Sequence, residues 1–429
     1  MKFCKLSLIL LIAISFFVSC FTPTTPSKIV DASPKKSPPD PPKLVLMVYM
    51  AADNDLENYA IQNLKQMEHA EFGETKVIVI VDRAEGYDET NDNWTDTRVF
   101  EIEHDDTNSN FIVSHRLDCP ILGIKKDKET ELDMAKYTVL RDFIAFSKER
   151  YSNAKSYSLV MWGHGTGWRA FSAENRAVAI DDKTKTYMPV VDIGKAVEGK
   201  NISIIGFDTC FGGVLENVYE LRNSSEYIVA SPDITPSLGW NYKSLLENLD
   251  KSDYQTKTIA NIMASSSHAK MTTFNSSKIE IVFDSLETFS KSLSGTVTES
   301  SSRDFVFNKL FKSKSYSYSQ YPCDMYLDIY DMAVQFESSE NNEVKQASAE
   351  LKRAVDECAE TKGSVNAEIG IHFIPKISAN TVAAQHSSEY MKDSGNKSQC
   401  SFIKKSSWWV PTISGKSESL LDKLFYKEY

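Results

Sequence analysis

Several signatures of catalysis and binding are missing from this 429-residue sequence. No H-E-x-x-H occurs, so a helix-borne zinc peptidase site has no ligands to work with. No G-x-S-x-G occurs, which removes the strand–turn–helix serine nucleophile. No two cysteines form a C-x-x-C pair, which argues against a zinc knuckle or a thioredoxin-like dithiol. Cations are outnumbered, with 48 Lys and Arg against 59 Asp and Glu, a net charge of -11. A nucleic-acid partner would need a basic face, and this balance offers none. Proline is sparse outside one stretch: seven of the 14 prolines fall within residues 21–42, leaving the rest of the chain open to regular structure.

The N-terminus reads as a targeting segment. Lys2 and Lys5 precede an apolar run, Leu6 to Val18, broken only by Ser7 and Ser15. The run is shorter than the roughly 20 residues a membrane span requires, and it suits a secretory signal. It closes as "FFVSC", which resembles a bacterial lipobox with Phe17 where Leu is usual. The expectation is a signal over 1–19, lipidation of Cys20, and a Pro-rich tether over 20–42 that stays extended. In polyproline conformation such a tether reaches about 70 Å. The chain is thus expected to be exported, and anchored at the cell envelope or surface through a lipid, or otherwise secreted.

Seven cysteines occur. Cys4 would leave with the signal and Cys20 would carry lipid, leaving Cys119, Cys210, Cys323, Cys358 and Cys400. An odd number in an oxidising compartment invites one free thiol.

Beyond residue 42, apolar runs alternate with helical periodicity. "KLVLMVYMA", "KVIVIVD", "SYSLVMWGH", "ISIIGFDTC" and "YIVAS" read as buried strands. Asn54 with Glu57 fits a capping box, predicting a helix from Asp55 to about Ala70. Val139, Leu140, Phe143, Ile144 and Phe146 predict another over Asp133–Tyr151. "TRVFEIEH" and "NFIVSHRLD" alternate like a hairpin. Later helices are predicted near Asn241, near Lys257, over Met325–Phe336 and over Glu343–Ala359, with "AEIGIHFIP" as a late strand. Continuous apolar strands separated by helices indicate an α/β fold with a mostly parallel sheet covered on both faces. Residues 43–285 are expected to form its core, and 286–429 a less regular C-terminal part or subdomain of the same fold.

Two strand ends carry reactive groups. The apolar run within "SLVMWGHGTGW" ends at His164, and that within "IGFDTCFGG" ends at Cys210. In open parallel sheets, sites gather at the carboxyl ends of the strands. An imidazole beside a thiol can take its proton and later protonate a departing amine, which suits a peptide bond. The backbone N–H groups of Gly165 and Cys210 are candidates for holding an oxyanion. Gly212 and Gly213 are expected to open a helix whose N-terminus favours a thiolate. Each residue taken alone is more often an inert cysteine or a hydrogen-bonded histidine.

The blocks "MVYMAADNDLE", "ELDMAKYTVLRDFIAFSKERY", "YSLVMWGHGTGW", "IGFDTCFGGVLENVYEL" and "YIVASPDITPSLGWNY", in this order, resemble the clostripain family of cysteine peptidases. "MYLDIYDMA" and "EIGIHFIP" resemble its C-terminal half more faintly. The resemblance implies a caspase-like α/β/α sandwich, with Cys210 as nucleophile, His164 as general base and acid, and no required third member. It also implies a substrate pocket with Asp208 at its base, the alternative being a structural carboxylate that holds a loop through backbone N–H bonds. Asp233, Leu238 and Trp240 belong to the same pocket block, Leu238 standing where some relatives place a second acid, with Asp233 near enough to compensate. A strict preference for basic P1 residues is therefore not expected.

The sequence itself requires no cofactor or metal. The resemblance leaves calcium open, with Asp53 and Asp55 near the site, although helix capping and solvation account for both. Relatives often mature by self-cleavage in the stretch holding Arg169, Arg176, Lys183 and Lys185. The expected partner is a peptide or protein substrate of a monomeric enzyme. The rival reading is a catalytically inactive surface lipoprotein that binds peptide on the same scaffold.

Overall fold

The computed structural model describes residues 40–167, 178–181, 183–317, 325–373, 401–408 and 419–425. The expected signal, Cys20 and all but the last three tether residues lie outside the described residues, as do Arg169, Arg176, Cys323 and Cys400. No described helix is long and apolar enough to cross a membrane.

Strands β1 (Leu44–Ala52), β2 (Thr75–Arg83), β5 (Tyr157–Trp162), β8 (Ile204–Asp208) and β9 (Tyr227–Ala230) form the parallel centre of a nine-stranded sheet. Their spatial order is β9-β8-β5-β1-β2. Antiparallel strands extend both edges: β3 (Arg98–Glu101) and β4 (His115–Leu117) beyond β2, and β10 (Thr272–Asn275) and β13 (Ala359–Thr361) beyond β9. All nine residues of β1 are buried, because its alternate side chains enter two different cores. Val45, Met47 and Tyr49 face the helices α2 (Tyr137–Arg150), α3 (Val190–Val197) and α4 (Leu215–Leu221). Leu46, Val48 and Met50 face α1 (Glu57–Glu68), α5 (Tyr242–Asp250) and α6 (Thr256–Ser265). The result is an α/β/α sandwich, and it explains why these strands read as unbroken apolar runs.

Three local expectations fail for identifiable reasons. The capping box at Asn54 and Glu57 does not form. Glu57 is fully buried and its carboxylate is taken by Arg83 and by the N–H of Asp88, so α1 begins without a side-chain cap. α2 begins at Tyr137, four residues later than predicted, because Asp133 holds a turn instead: its Oδ1 accepts from Ala135 N–H at 3.0 Å and its carbonyl from Lys136 N–H at 3.1 Å. Met325–Asp328 is a strand, β12, paired antiparallel with β11 (Ser315–Ser317) and β14 (Gly370–Phe373). Only Ile329–Val334 is helical there, capped by Asp328 through the N–H of Asp331.

β8 carries a glycine, Gly206, at its centre. A Cβ there would lie 2.6 Å from the indole of Trp240, which is fully buried against the strand. Close packing of backbone and indole requires the missing side chain. Gly206→Ala is expected to overpack this contact and cost about 1–3 kcal/mol. Urea unfolding of the variant measures the cost, and a value equal to wild type would show that Trp240 yields freely.

Candidate functional site

The position of the site follows from strand register. Met50 of β1 pairs with Trp162 of β5, and Trp162 pairs with Asp208 of β8. His164 and Cys210 therefore each lie two residues past a matched pair on adjacent parallel strands. Gly163 makes the exit turn. Its φ is +138°, its N–H donates to Asp208 O at 3.3 Å, and a Cβ would lie 3.1 Å from Ala51 O. Gly165 runs so close to the cysteine segment that a Cβ would come within 2.2 Å of Cys210 O. His164, Asp208 and Cys210 line one cavity of about 170 Å³, with Leu56 and Trp162 on one wall and Ile234–Ser237 on another.

Cys210 is partly exposed. Thr235 N–H donates to its Sγ at 3.2 Å, and Thr235 Oγ1 donates to Thr209 O at 2.9 Å. His164 Nε2 lies 2.6 Å from Asp55 Oδ1. Cys119 and Cys358 are buried, and burial pushes both thiols up to about 12. Thiolate chemistry near neutral pH is closed to these two.

The cysteine segment does not open a helix. α4 begins at Leu215, and the segment is tied to the chain after β9 by Phe211 N–H to Asp233 O at 3.1 Å and Gly213 N–H to Ser231 O at 2.7 Å. These cross-links displace the helical bonds that Gly212 and Gly213 were expected to start, so no helix dipole ends at the thiol.

Among the expected pocket residues, Asp208 lines the cavity and the others stand behind or outside it. Asp208 is 4% exposed; its Oδ2 accepts from Trp240 N–H at 3.0 Å and from Tyr242 O–H at 3.1 Å. Its Oδ1 has no hydrogen-bond partner among the described residues. Burial pushes this carboxyl up to about 7, against the pull of those two donors. Asp233 is exposed, with its Oδ1 accepting from Ile234 N–H. Leu238 is 47% exposed, and its carbonyl accepts from Asn63 Nδ2 at 3.3 Å.

Asp53 and Asp55 part company. Asp55 goes to His164, whereas Asp53 gathers with Asp82 and Glu131, their carboxylate oxygens lying within 4.8 Å of one another. Calcium takes about six to eight oxygens, waters and backbone carbonyls among them, and these three carboxylates would supply part of such a shell. Lys183 Nζ already sits 2.8 Å from Glu131.

Sequence reasoning passed over three residues that organise the site. Asn63 of α1 accepts from Trp162 Nε1–H at 2.8 Å while holding Leu238 O, which joins helix, strand and pocket loop. Thr235 holds the cysteine segment as described above. Tyr326 of β12 donates to Thr166 O at 2.7 Å and packs at a tilt against Phe211, centroids 5.4 Å apart, so it ties the segment after β5 to the segment after β8. Each contact joins residues distant in sequence, and no local pattern announces it.

A family model for the clostripain family matches residues 48–409. Clostripain of Hathewaya histolytica is 27% identical over 228 residues, which cover 48% of this chain and 42% of that protein. The chain thus matches less than half the length of that relative. An inactive zymogen C11 protease from Parabacteroides distasonis superposes over 87% of this chain and 99% of its own, with a TM-score of 0.59 and 16% identity. A secreted C11 cysteine protease from Bacteroides thetaiotaomicron, in complex with an irreversible peptide inhibitor, gives 0.55 over 81% and 97% at 16% identity. These likenesses establish the caspase-like α/β fold.

The buried Asp208 carries a pH signature. Its raised pKa means the folded chain keeps a proton that the unfolded chain releases above about pH 4. The stability it contributes is whole below that pH and is lost as pH rises through about 7. Asp208→Asn stays neutral and removes this loss. The variant is expected to gain stability relative to wild type between about pH 5 and about pH 8. Chemical unfolding across that range checks it, and a constant difference would contradict the assignment.

Proposed function

The chain belongs to the clostripain family, and from that premise we propose that it is a cysteine endopeptidase using Cys210 as nucleophile and His164 as general base and acid. One observation carries the reading: a partly exposed thiol and an imidazole leave adjacent parallel strands at the same level and share one cavity. In the proposed cycle His164 takes the thiol proton and Sγ attacks the peptide carbonyl carbon. The C–N bond breaks as the imidazolium protonates the departing amine. Water, deprotonated by His164, then hydrolyses the thioester and restores the thiol. The N–H groups of Gly165 and Cys210 are the proposed oxyanion donors, each worth about 2.7–4 kcal/mol in a transition state. The close passage of Gly165 along the cysteine segment supports that pairing.

The cavity takes the P1 side chain, with Asp208 at its base. A buried carboxylate recognises a cation well only when ionised and matched by good geometry. With Leu238 turned to solvent and Asp233 off the cavity, Asp208 is the acid left to do this. P1 selectivity should accordingly be graded rather than strict. Both reacting groups come from one chain, so a monomer suffices. The leader, Cys20 and the Pro-rich tether support export and lipid anchoring at the envelope, which metabolic labelling with a palmitate analogue and a Cys20→Ala variant would test.

Digestion of a positional peptide library by wild type and Cys210→Ala tests the catalytic reading. Cleavage should vanish in the variant. Persistent cleavage would point to another protease, and the absence of cleavage in both, with peptide still bound, would favour a binding lipoprotein. In the wild type, cleavage after Lys or Arg relative to Gln or Met should rise from about pH 6 to about pH 8, as Asp208 loses its proton. A flat ratio would remove Asp208 from P1 recognition.

A further inference from the structure

We propose that Asp55 is the positioning residue for His164, so that thiol, imidazole and carboxylate form a nucleophile–base–orienter array across three adjoining strand ends. The inference rests on the catalytic reading of His164 and Cys210 given above. It departs from the expectation that no third member is needed.

The sheet order supplies the geometry. β8, β5 and β1 lie side by side, and Cys210, His164 and Asp55 follow their carboxyl ends in that order. Asp55 Oδ1 is 2.6 Å from His164 Nε2, and the imidazole is 15% exposed against 49% for the carboxylate. The turn presenting Asp55 is pinned from both sides. Asn54 is fully buried; its Nδ2 donates to Ala51 O at 3.0 Å and its Oδ1 accepts from Leu56 N–H at 3.0 Å. Its own N–H donates to Ala52 O at 2.8 Å and its carbonyl accepts from Glu57 N–H at 3.1 Å. Glu57 in turn is clamped by the buried Arg83. Asp55 therefore meets the imidazole from a fixed backbone turn.

The chemistry follows from the bond. A carboxylate only accepts, so Nε2 carries the proton and Nδ1 is the nitrogen that trades a proton with the thiol. When imidazolium forms, the anion beside it offsets the new charge. It also fixes the ring's rotation, which is the role of the third group in nucleophile–base–orienter arrangements. The size of the effect is set by exposure. A fully buried aspartate in this role is worth about 10⁴ in turnover. Water screens the half-exposed carboxylate here, so about ten- to hundredfold is expected. Leu56 lines the cavity but Asp55 does not, so substrate binding should not depend on the carboxylate.

Steady-state kinetics on Asp55→Asn, Asp55→Ala and Asp55→Glu, with a cleavable peptide and rates scaled to folded protein from thermal melts, decide the matter. The expected result is a kcat lower by about ten- to hundredfold in Asp55→Asn and Asp55→Ala, KM within about twofold, and partial recovery in Asp55→Glu. A purely structural role would lower Tm or raise KM and would leave kcat per folded molecule unchanged, which overturns the proposal. Wild-type kcat in Asp55→Ala, alongside dead Cys210→Ala and His164→Ala, would overturn it too while leaving the dyad standing. Full activity in Cys210→Ala would remove the dyad and the positioning role of Asp55 together.

Discussion

The parallel hydrogen-bonded ladder between β5 and β8 is the constraint on which the rest of the site depends. Side chains in a strand alternate with a period of two, so a one-residue slip would send every inward residue to the opposite face. Both strands are buried on both faces, so two apolar cores penalise any slip. The pairing of Trp162 with Asp208 is therefore held by the packing of both cores as well as by the ladder itself. His164 and Cys210 inherit their level from it. The same logic extends one strand further, because β1 in register with β5 sets where Asp55 arrives.

The chain between β9 and α5 builds the second wall of the cavity, and it is organised around one carboxyl. Asp208 receives the Trp240 N–H and the Tyr242 hydroxyl, while the indole of Trp240 occupies the space Gly206 leaves open. Asn63 restrains Leu238, and Thr235 fastens the loop to the cysteine segment. A group that penalises folding when ionised, as Asp208 does through its burial, nonetheless lines the cavity. Buried polar groups of that kind are more often functional than stabilising.

Much of this was legible in the sequence because buried parallel strands announce themselves. "LVLMVYMAA" and "YSLVMW" have no polar face to confuse with a loop, and their ends are where His164 and the acidic turn begin. Helices with a clear apolar stripe, such as Asn342–Cys358, were equally plain. What stayed hidden depends on partners far along the chain. Glu57 looks like a helix cap until Arg83, 26 positions on, claims it. "MYLDIYDMA" has a helical rhythm, yet β11 and β14 draw its first four residues into a sheet. The double glycine after Cys210 suggests a helix start, but cross-links to Ser231 and Asp233 hold it as a turn. Nothing local distinguishes Asp55, which meets the imidazole, from Asp53, two positions earlier, which joins Asp82 and Glu131.

The central claim is that the Cys210 thiol works through His164. Timed alkylation with iodoacetamide at neutral pH, read by mass spectrometry of individual cysteine peptides, tests it most directly in wild type and His164→Ala. The account predicts that Cys210 reacts well ahead of the buried Cys119 and Cys358, and that loss of the imidazole slows it by about tenfold or more. Equal rates at Cys210 in the two proteins, or a rate no greater than that of an ordinary exposed thiol, would contradict it.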